Sequence, residues 1–255
     1  MIVLAALVIF GIFTTIVLSI ELGYRWGLRR WAKVAPPARS LHSTMEASVF
    51  GLMGLLVAFI FNGAGVRFEN RRRLIAEEVN AIGTAYRRLD LLPAEARPQL
   101  RDDFRSYVES RLHVFQFMPG TNERQVALAE SGDLQNGIWK QAVAATIGGP
   151  PSTQTLVLTS INEVIDITTI QSTARATHPP VAVFVMLGVM VIGSSALAGY
   201  AMAASGSRDW VYVIVFALLV GTAIYVILDY EFPRVGIIRI DPYDQMLHNL
   251  LVEMK

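Results

Sequence analysis

The sequence predicts an all-α, four-span integral membrane protein whose long second membrane helix extends into an inserted soluble helical bundle. Three observations predict this fold: an apolar composition, four apolar stretches of spanning length, and a polar region between the second and third stretches. Hydrophobic residues make up 53% of the 255 residues and charged residues 17%, and the mean hydropathy is +0.44. One soluble core of this length does not bury so much apolar surface, so a lipid bilayer is the expected surrounding.

Several functional classes are excluded by the charge, the cysteine content and the motifs. The net charge of +1 lacks the basic excess of nucleic-acid-binding proteins, so no nucleic-acid partner is predicted. The sequence has no Cys, which excludes disulfides and thiolate nucleophiles. It also lacks the histidine spacing of metalloproteases, the nucleophile elbow, the P-loop and the dinucleotide fingerprint. We therefore expect no enzyme activity, no metal and no cofactor.

Four apolar stretches are long enough to cross a hydrocarbon core of about 30 Å, which takes about 20 helical residues. They cover residues 2–20, 47–66, 181–204 and 210–228. The first has no basic residue ahead of its apolar run, so it is predicted to be a retained helix and not a cleaved signal peptide. No charged residue or His lies well inside any of the four, which disfavours proton- or ion-coupled transport.

The second span is predicted to continue into water without a break. Phe68, Ile75, Ile82 and Leu89 recur every seven residues, and no Pro interrupts residues 55–90. This spacing places a narrow apolar seam along one side of an amphipathic helix. Gly83 lies beside the seam and would allow another helix to approach closely, and the polar residues Asn80 and Thr84 are candidates for hydrogen bonds across that helix interface.

Further helices are predicted over about residues 94–118, 122–147 and 152–177, with Ser152 or Thr153 as the cap of the last. The predicted buried face of that helix consists of Leu158, Ile161, Ile165 and Thr168. Four domains follow: residues 1–66 (first membrane pair with a basic linker), 67–180 (soluble bundle), 181–228 (second membrane pair) and 229–255 (tail).

The tail is predicted to end in an amphipathic helix that starts at Asp241-Pro242, with these two residues as cap and first turn. Its apolar residues are Met246, Leu247, Leu250 and Leu251. The helix either docks on the soluble bundle or lies on the membrane, and docking is the preferred interpretation.

Three segments carry a family resemblance: "RRWAKVAPPARS" before the second span, "RRRLIAEEVNAIGTAYRRLDLLP" after it, and "LDYEFPRVGIIRIDPYDQM" after the fourth. In this order, and over nearly the whole chain, they resemble a bacterial family of membrane proteins labelled bestrophin-like. Bestrophins are homopentameric anion channels in which a cytoplasmic helical domain is inserted between the second and third of four membrane helices, and the second helix lines the pore. The resemblance implies this architecture, a pentameric homo-oligomer and passive permeation of small anions.

One face of the second span consists almost entirely of small residues. At alternating three- and four-residue spacing it carries Ala47, Gly51, Gly54, Ala58, Asn62 and Gly65. A pore-lining interpretation places this face on a water-filled axis, with Asn62 near its end and Ile60 or Phe61 as the apolar constriction. Tight helix packing explains the same spacing, and it also fits three small residues of the third span, Ser195, Gly199 and Ala203.

Four arginines follow this face directly: Arg67, Arg71, Arg72 and Arg73. A ring of them in an oligomer would concentrate anions at a pore mouth. Anchoring to acidic lipid headgroups explains them as well. A third interpretation is ion pairing within the chain, with Glu69, Glu77 and Glu78 as the partners.

The sequence leaves open on which side of the membrane the soluble domain lies. The first connecting loop contains five basic residues, which places that loop in the cytoplasm by the positive-inside rule. The bestrophin resemblance implies the reverse. These five residues are Arg25, Arg29, Arg30, Lys33 and Arg39.

The resemblance therefore implies an oligomeric, passive anion channel, which we expect in the inner cell membrane. The alternative function is a membrane-anchored interaction or sensory scaffold without transport activity, whose soluble bundle binds a partner protein.

Overall fold

Eight α-helices account for most of the chain described by the structure, a computed structural model that covers residues 2–31, 36–117, 120–234 and 236–254. The predicted all-α class is confirmed, because the described residues are 87% helical and contain no strand. Lys33 and Met118, which figure in the predictions above, lie outside the described residues. The helices are α1 (Ile2–Trp31), α2 (Pro36–Arg88), α3 (Arg97–Gln116), α4 (Asn122–Thr146), α5 (Pro151–Ala176), α6 (Val181–Ala203), α7 (Trp210–Glu231) and α8 (Asp241–Glu253).

Four stretches of these helices are long and apolar enough to cross a membrane, which confirms the predicted number of spans. Pro151–Ala203 covers both α5 and α6, but only α5 contains charged residues, so the apolar span is α6. The other three stretches are Ala5–Arg30, Thr44–Leu91 and Trp210–Glu231.

The chain forms two units, each with its own apolar core. The membrane unit comprises Met1–Phe68 and His178–Ile238, and the bundle unit comprises Glu69–Thr177 and Arg239–Lys255. Because α2 is a single helix, it contributes its first part to the membrane unit and the rest to the bundle unit, as its unbroken pattern predicts. The finer division into four domains stays a prediction.

In the membrane unit, α1 and α6 cross with their backbones in close contact. A Cβ atom added at Gly199 would overlap the carbonyl oxygen of Ile20, and one added at Gly23 would overlap the carbonyl oxygen of Ala196. Small residues at a crossing allow this approach, and packing then replaces the hydrophobic effect that is missing in lipid. The packing interpretation is therefore correct for the small face of the third span, and its partner is α1.

In the bundle unit, the apolar seam of α2 is buried. Its residues Ile75, Ile82 and Leu89 are each at most 1% exposed. The core around them also contains, from the neighbouring helices, Leu100, Phe104, Val108, Ile138, Val157 and Ile161. The seam therefore serves the interior of a helical bundle, as the seven-residue spacing predicts.

The terminal helix α8 docks on this bundle, as preferred from the sequence. Leu247 and Leu250 are buried in the core, and a Cδ atom of Leu250 lies 3.5 Å from the place where Gly83 would carry a Cβ. The end of the helix is held by two hydrogen bonds to the carbonyl oxygen of Met254, one from Tyr86 (2.8 Å) and one from Nε of Arg105 (2.7 Å).

Two predicted helix caps are wrong. The helix α5 begins at Pro151, with Pro150 as its N-cap, so Ser152 and Thr153 lie inside the first turn. Proline suits the first helical position, here Pro151, because it has no N–H to be left unpaired and its φ is already helical. Likewise, α8 begins at Asp241 and not after it, and the N-cap Ile240 makes no side-chain hydrogen bond to the helix.

The buried face of α5 is displaced by about one residue from its predicted position. Val157, Val164 and Ile167 are buried together with Ile161, whereas Leu158 and Ile165 are only half-buried at the edge. Because α5 is apolar or small on several sides, its sequence defines the direction of its inner face poorly.

An ion pair with an amide partner lies in the interior of the bundle unit. Nε of Arg111 donates to Glu78 at 2.5 Å, and both side chains are at most 3% exposed. Gln171 completes the group, since its Nε2 donates to Glu78 (2.7 Å) and to the Leu74 carbonyl oxygen (2.9 Å), while its Oε1 accepts from Arg111 (2.8 Å). Burial lowers the pKa of Arg111, but the Glu78 carboxylate contributes to a net rise above the ordinary value. Arg111 is therefore positively charged.

Tyr107 is buried beside this group, and its hydroxyl accepts a hydrogen bond of 3.0 Å from Gln135. Burial raises the pKa of Tyr107 well above its ordinary value, and the negative charge of Glu78 raises it further. Both effects disfavour the tyrosinate, because it would be a second anion in an apolar interior.

Substitution of Gly199 by Leu is expected to destabilise the membrane unit by about 3 kcal/mol, because the new side chain meets the backbone of α1 and not a movable side chain. The matched control is Gly193→Leu on the same helix, where an added Cβ meets nothing within 4 Å. Detergent titration of the purified proteins, followed by circular dichroism, measures both effects. Equal stability of the two variants would contradict the close backbone contact between α1 and α6 at Gly199.

Raising the pH above about 10, the ordinary pKa of tyrosine, is expected to destabilise the wild-type protein more than Tyr107→Phe. In the unfolded chain Tyr107 loses its proton near that pH, whereas the folded protein retains it. The stabilising contribution is therefore complete below about pH 10 and decreases as the pH rises. Thermal unfolding of both proteins at increasing alkaline pH tests this, and parallel curves would disprove it.

Candidate functional site

The small face of α2 lies uncovered in the membrane unit. Gly51, Gly54, Ala58 and Asn62 are all exposed, and a Cβ added at either of these glycines meets nothing within 4 Å, whereas Gly65 at the end of the face is half-buried beside Tyr230. This differs from the small face of α6, which packs on α1. The face of α2 is therefore not occupied by another described part of its own unit.

The two apolar residues predicted to narrow a pore differ in their exposure. Ile60 is buried in the apolar core of the membrane unit, in the same cluster as Ile16 and Ile224, because it lies on the opposite side of α2 from Ala58. The prediction that Ile60 narrows a pore is therefore wrong for the described unit. Phe61 is exposed in part and lies with its ring centroid 5.7 Å from that of Tyr230.

At the end of this face, three side chains form a charged cluster. Arg67 contacts one carboxylate oxygen of Glu231 through Nε (2.9 Å) and through a terminal nitrogen (2.8 Å). Nδ1 of His178 lies 2.7 Å from the other oxygen of Glu231. Since Glu231 is only 1% exposed, its charge is compensated by these neighbours and not by water.

Aromatic rings enclose the cluster. Phe68, one residue after Arg67, stacks on Tyr230 with a centroid distance of 5.0 Å. Phe232 stacks on His178 at 5.2 Å. The burial of Glu231 beside these rings strengthens its electrostatic interaction with Arg67.

A second buried carboxylate fixes the turn that follows α7. One oxygen of Asp229 accepts hydrogen bonds from the backbone N–H groups of Ile237 (3.0 Å) and Ile238 (2.9 Å). A Cβ at Gly236 would overlap the same carboxylate, so this turn requires glycine there. The Asp229 carboxylate thereby folds the chain back at the end of α7.

The other three arginines of the predicted funnel have partners within the bundle unit. Arg71 is 7% exposed and donates to the carbonyl oxygens of Ala174 and Thr177, so neither a lipid-anchor nor a funnel role fits it. Arg72 pairs with Glu69 at 2.7 Å and Arg73 with Glu77 at 2.6 Å. Ion pairing within the chain, the third interpretation, therefore describes Arg72 and Arg73, whereas Glu78 pairs with Arg111.

The predicted interface residues in the extended part of α2 differ in their burial. Gly83 is buried beneath Leu250 of α8, and Thr84 is half-buried. Asn80 is exposed, which does not favour an interface role within the unit. No group of three or more His, Asp or Glu side chains among the described residues is arranged to hold a metal ion.

Sequence reasoning missed the roles of Glu231 and His178. The signal was present: Asp229 and Glu231 are two acidic residues at the end of an apolar span, where a carboxylate needs a partner. The Gly23 to Gly27 spacing in α1 was a second missed signal, since it is the small-residue pattern of a close helix crossing.

These features define a class: an all-α membrane protein with four spans, a second helix that continues into a helical bundle, and a charged cluster where that helix leaves the apolar unit. Residues 15–244 match the family described as Bestrophin-like domain. The chain belongs to this family.

Solved structures support the same fold. A structure of a bacterial bestrophin homolog from Klebsiella pneumoniae has a TM-score of 0.66 and 16% identity, covering 98% of this chain and 97% of that chain. A substituted variant of a bacterial bestrophin homolog from that organism reaches 0.70 with 16% identity, covering 96% and 98%. A further structure, described as a membrane protein, has a TM-score of 0.67 with 16% identity and covers 98% of both chains. No curated protein matches the chain.

Replacing Arg67 by Met is expected to destabilise the membrane unit by about 3 kcal/mol, because the buried Glu231 then loses its guanidinium partner. The double variant R67M/E231M should recover part of this loss, since it leaves no uncompensated carboxylate. Detergent titration of the single and double variants gives the coupling free energy.

The matched control for this cycle is the exposed pair Arg73 and Glu77, which is 2.6 Å apart and accessible to water. Its coupling should be within about 0.5 kcal/mol of zero. Equal coupling in both cycles would show that burial of Glu231 does not matter.

Proposed function

We propose that this chain is the subunit of a homo-oligomeric, passive anion channel of the inner cell membrane, with the small face of α2 lining the permeation path. The observation that carries the proposal is the uncovered state of that face. Membership of the Bestrophin-like family supports anion permeation as the activity. A pentamer is the proposed assembly, in line with the family resemblance.

The chemistry of the face fits this role. Small side chains leave room beside α2, and their exposed backbone adds polar character to an otherwise apolar path. Asn62 offers an amide N–H donor to an anion without holding it as tightly as a fixed charge would. We propose Gly51, Gly54, Ala58, Asn62 and Gly65 as the lining, with Phe61 at its side.

Arg67 is proposed as the cation at the mouth of this path. Its side chain is 27% exposed, so part of the guanidinium faces solvent while the rest contacts Glu231. Because the Glu231 carboxylate offsets part of the field of Arg67, the exposed part of the guanidinium attracts an anion only weakly. A permeation path needs such weak attraction, since an ion that binds tightly leaves slowly.

Gly54→Phe is expected to abolish anion flux in proteoliposomes, because the ring fills the proposed path. The control is Gly188→Phe on α6, which is also exposed and has nothing within 4 Å of an added Cβ. Chloride efflux, measured with an anion-sensitive dye, should be lost in the first variant and retained in the second.

The oligomeric mass of the detergent-purified protein must be measured alongside the flux. An oligomer of several subunits around an open axis is expected. A monomer, or a dimer closed by the small faces of α2, would contradict the channel and leave the scaffold function.

A further inference from the structure

We propose that the end of the membrane unit formed by α1 and the α6–α7 loop binds an anionic phospholipid. The binding site would lie in a cleft whose mouth is cationic and whose floor is apolar. This proposal does not depend on channel activity, because the site lies on other helices than the small face of α2.

Two arginines converge at the mouth of the cleft from distant parts of the chain. Arg25 of α1 and Arg208 of the α6–α7 loop both contact Glu21, at 2.6 Å and 2.9 Å. Their side chains are 66% and 41% exposed, so both remain in part accessible to solvent. Arg29 and Arg30, on the next turn of α1, are exposed as well.

The acidic groups at this end do not cancel the positive charge. Glu21 is shared between two arginines, and it orients both guanidinium groups towards the mouth. Asp209 is engaged as the N-cap of α7, where it accepts from the N–H of Tyr212 at 3.1 Å. Four arginines against these two carboxylates leave a net charge of +2, which complements a phosphate-containing headgroup.

Below the arginines, the cleft becomes apolar. Its floor is formed by Val17, Ile20, Met202 and Val213. This arrangement, with a cationic mouth above an apolar floor, matches a phospholipid, whose phosphate lies above its acyl chains. A soluble anion would use the mouth alone and leave the floor uncovered.

Aromatic side chains place this site at the level of lipid headgroups. Trp210 lines the cleft and is 53% exposed, and Trp26 is exposed beside Tyr200 at a centroid distance of 5.1 Å. Exposed Trp at the ends of apolar spans is typical of the membrane interface. The guanidinium of Arg208 lies 4.8 Å above the ring of Tyr24, which holds it at this depth.

Quenching of tryptophan fluorescence by lipids with brominated acyl chains tests the site on the full-length protein in detergent. Brominated phosphatidylglycerol should quench at lower concentration than brominated phosphatidylcholine. In the variant R25Q/R208Q the half-saturating concentration of phosphatidylglycerol should rise about tenfold. The control R87Q/R101Q removes the same charge from the bundle unit and should leave it unchanged.

If R25Q/R208Q folds poorly, two further measurements test the proposal. Glu21→Gln should strengthen phosphatidylglycerol binding by about threefold, because it removes the competing carboxylate. Excess inorganic phosphate should not displace the lipid. Unchanged binding in both the arginine and the Glu21 variants, an equal loss in the control, or displacement by phosphate would each overturn the proposal.

Discussion

The membrane unit depends on the burial of one carboxylate, that of Glu231, at the end of α7. A charge with 1% of its surface exposed is costly unless cations and hydrogen bonds replace the water it has lost. Arg67 near the end of the spanning part of α2 and His178 just before α6 supply these partners. The carboxylate thereby ties together three chain segments that are far apart in sequence, and it fixes where α2 leaves the apolar unit.

Features encoded by local periodicity could be predicted from the sequence. The four spans follow from apolar runs of sufficient length, and the continuity of α2 follows from the seven-residue recurrence of Ile75, Ile82 and Leu89. The caps of α5 and α8 were mispredicted because proline at the first turn replaces a capping side chain, and several residues near each start were plausible caps. Partners separated by 164 residues, such as Arg67 and Glu231, leave no periodic signal at all.

The small faces of α2 and α6 look alike in sequence, yet the structure separates them. Gly199 of α6 meets the backbone of α1, whereas Gly51 and Gly54 of α2 meet nothing in their own unit. The difference arises because α1 carries Gly23 opposite α6, so both helices provide room at the crossing. A face of small residues predicts that something approaches closely. Whether the approaching element is a helix of the same chain depends on the surface of that helix, and the spacing of the small residues gives no information about it.

An uncovered glycine face is a poor surface for contact with lipid. Glycine provides no side chain to pack against acyl chains and leaves its backbone polar groups accessible, and the Asn62 amide would need a hydrogen-bond partner in hydrocarbon. Lipid-facing parts of α7 show the contrast, since Val211, Leu218 and Leu219 are large, apolar and exposed. An assembly that turns the face of α2 towards other subunits and a water-filled axis gives the glycines close neighbours and Asn62 a solvent. The physical cost of leaving this face in lipid is therefore the strongest argument for the oligomer.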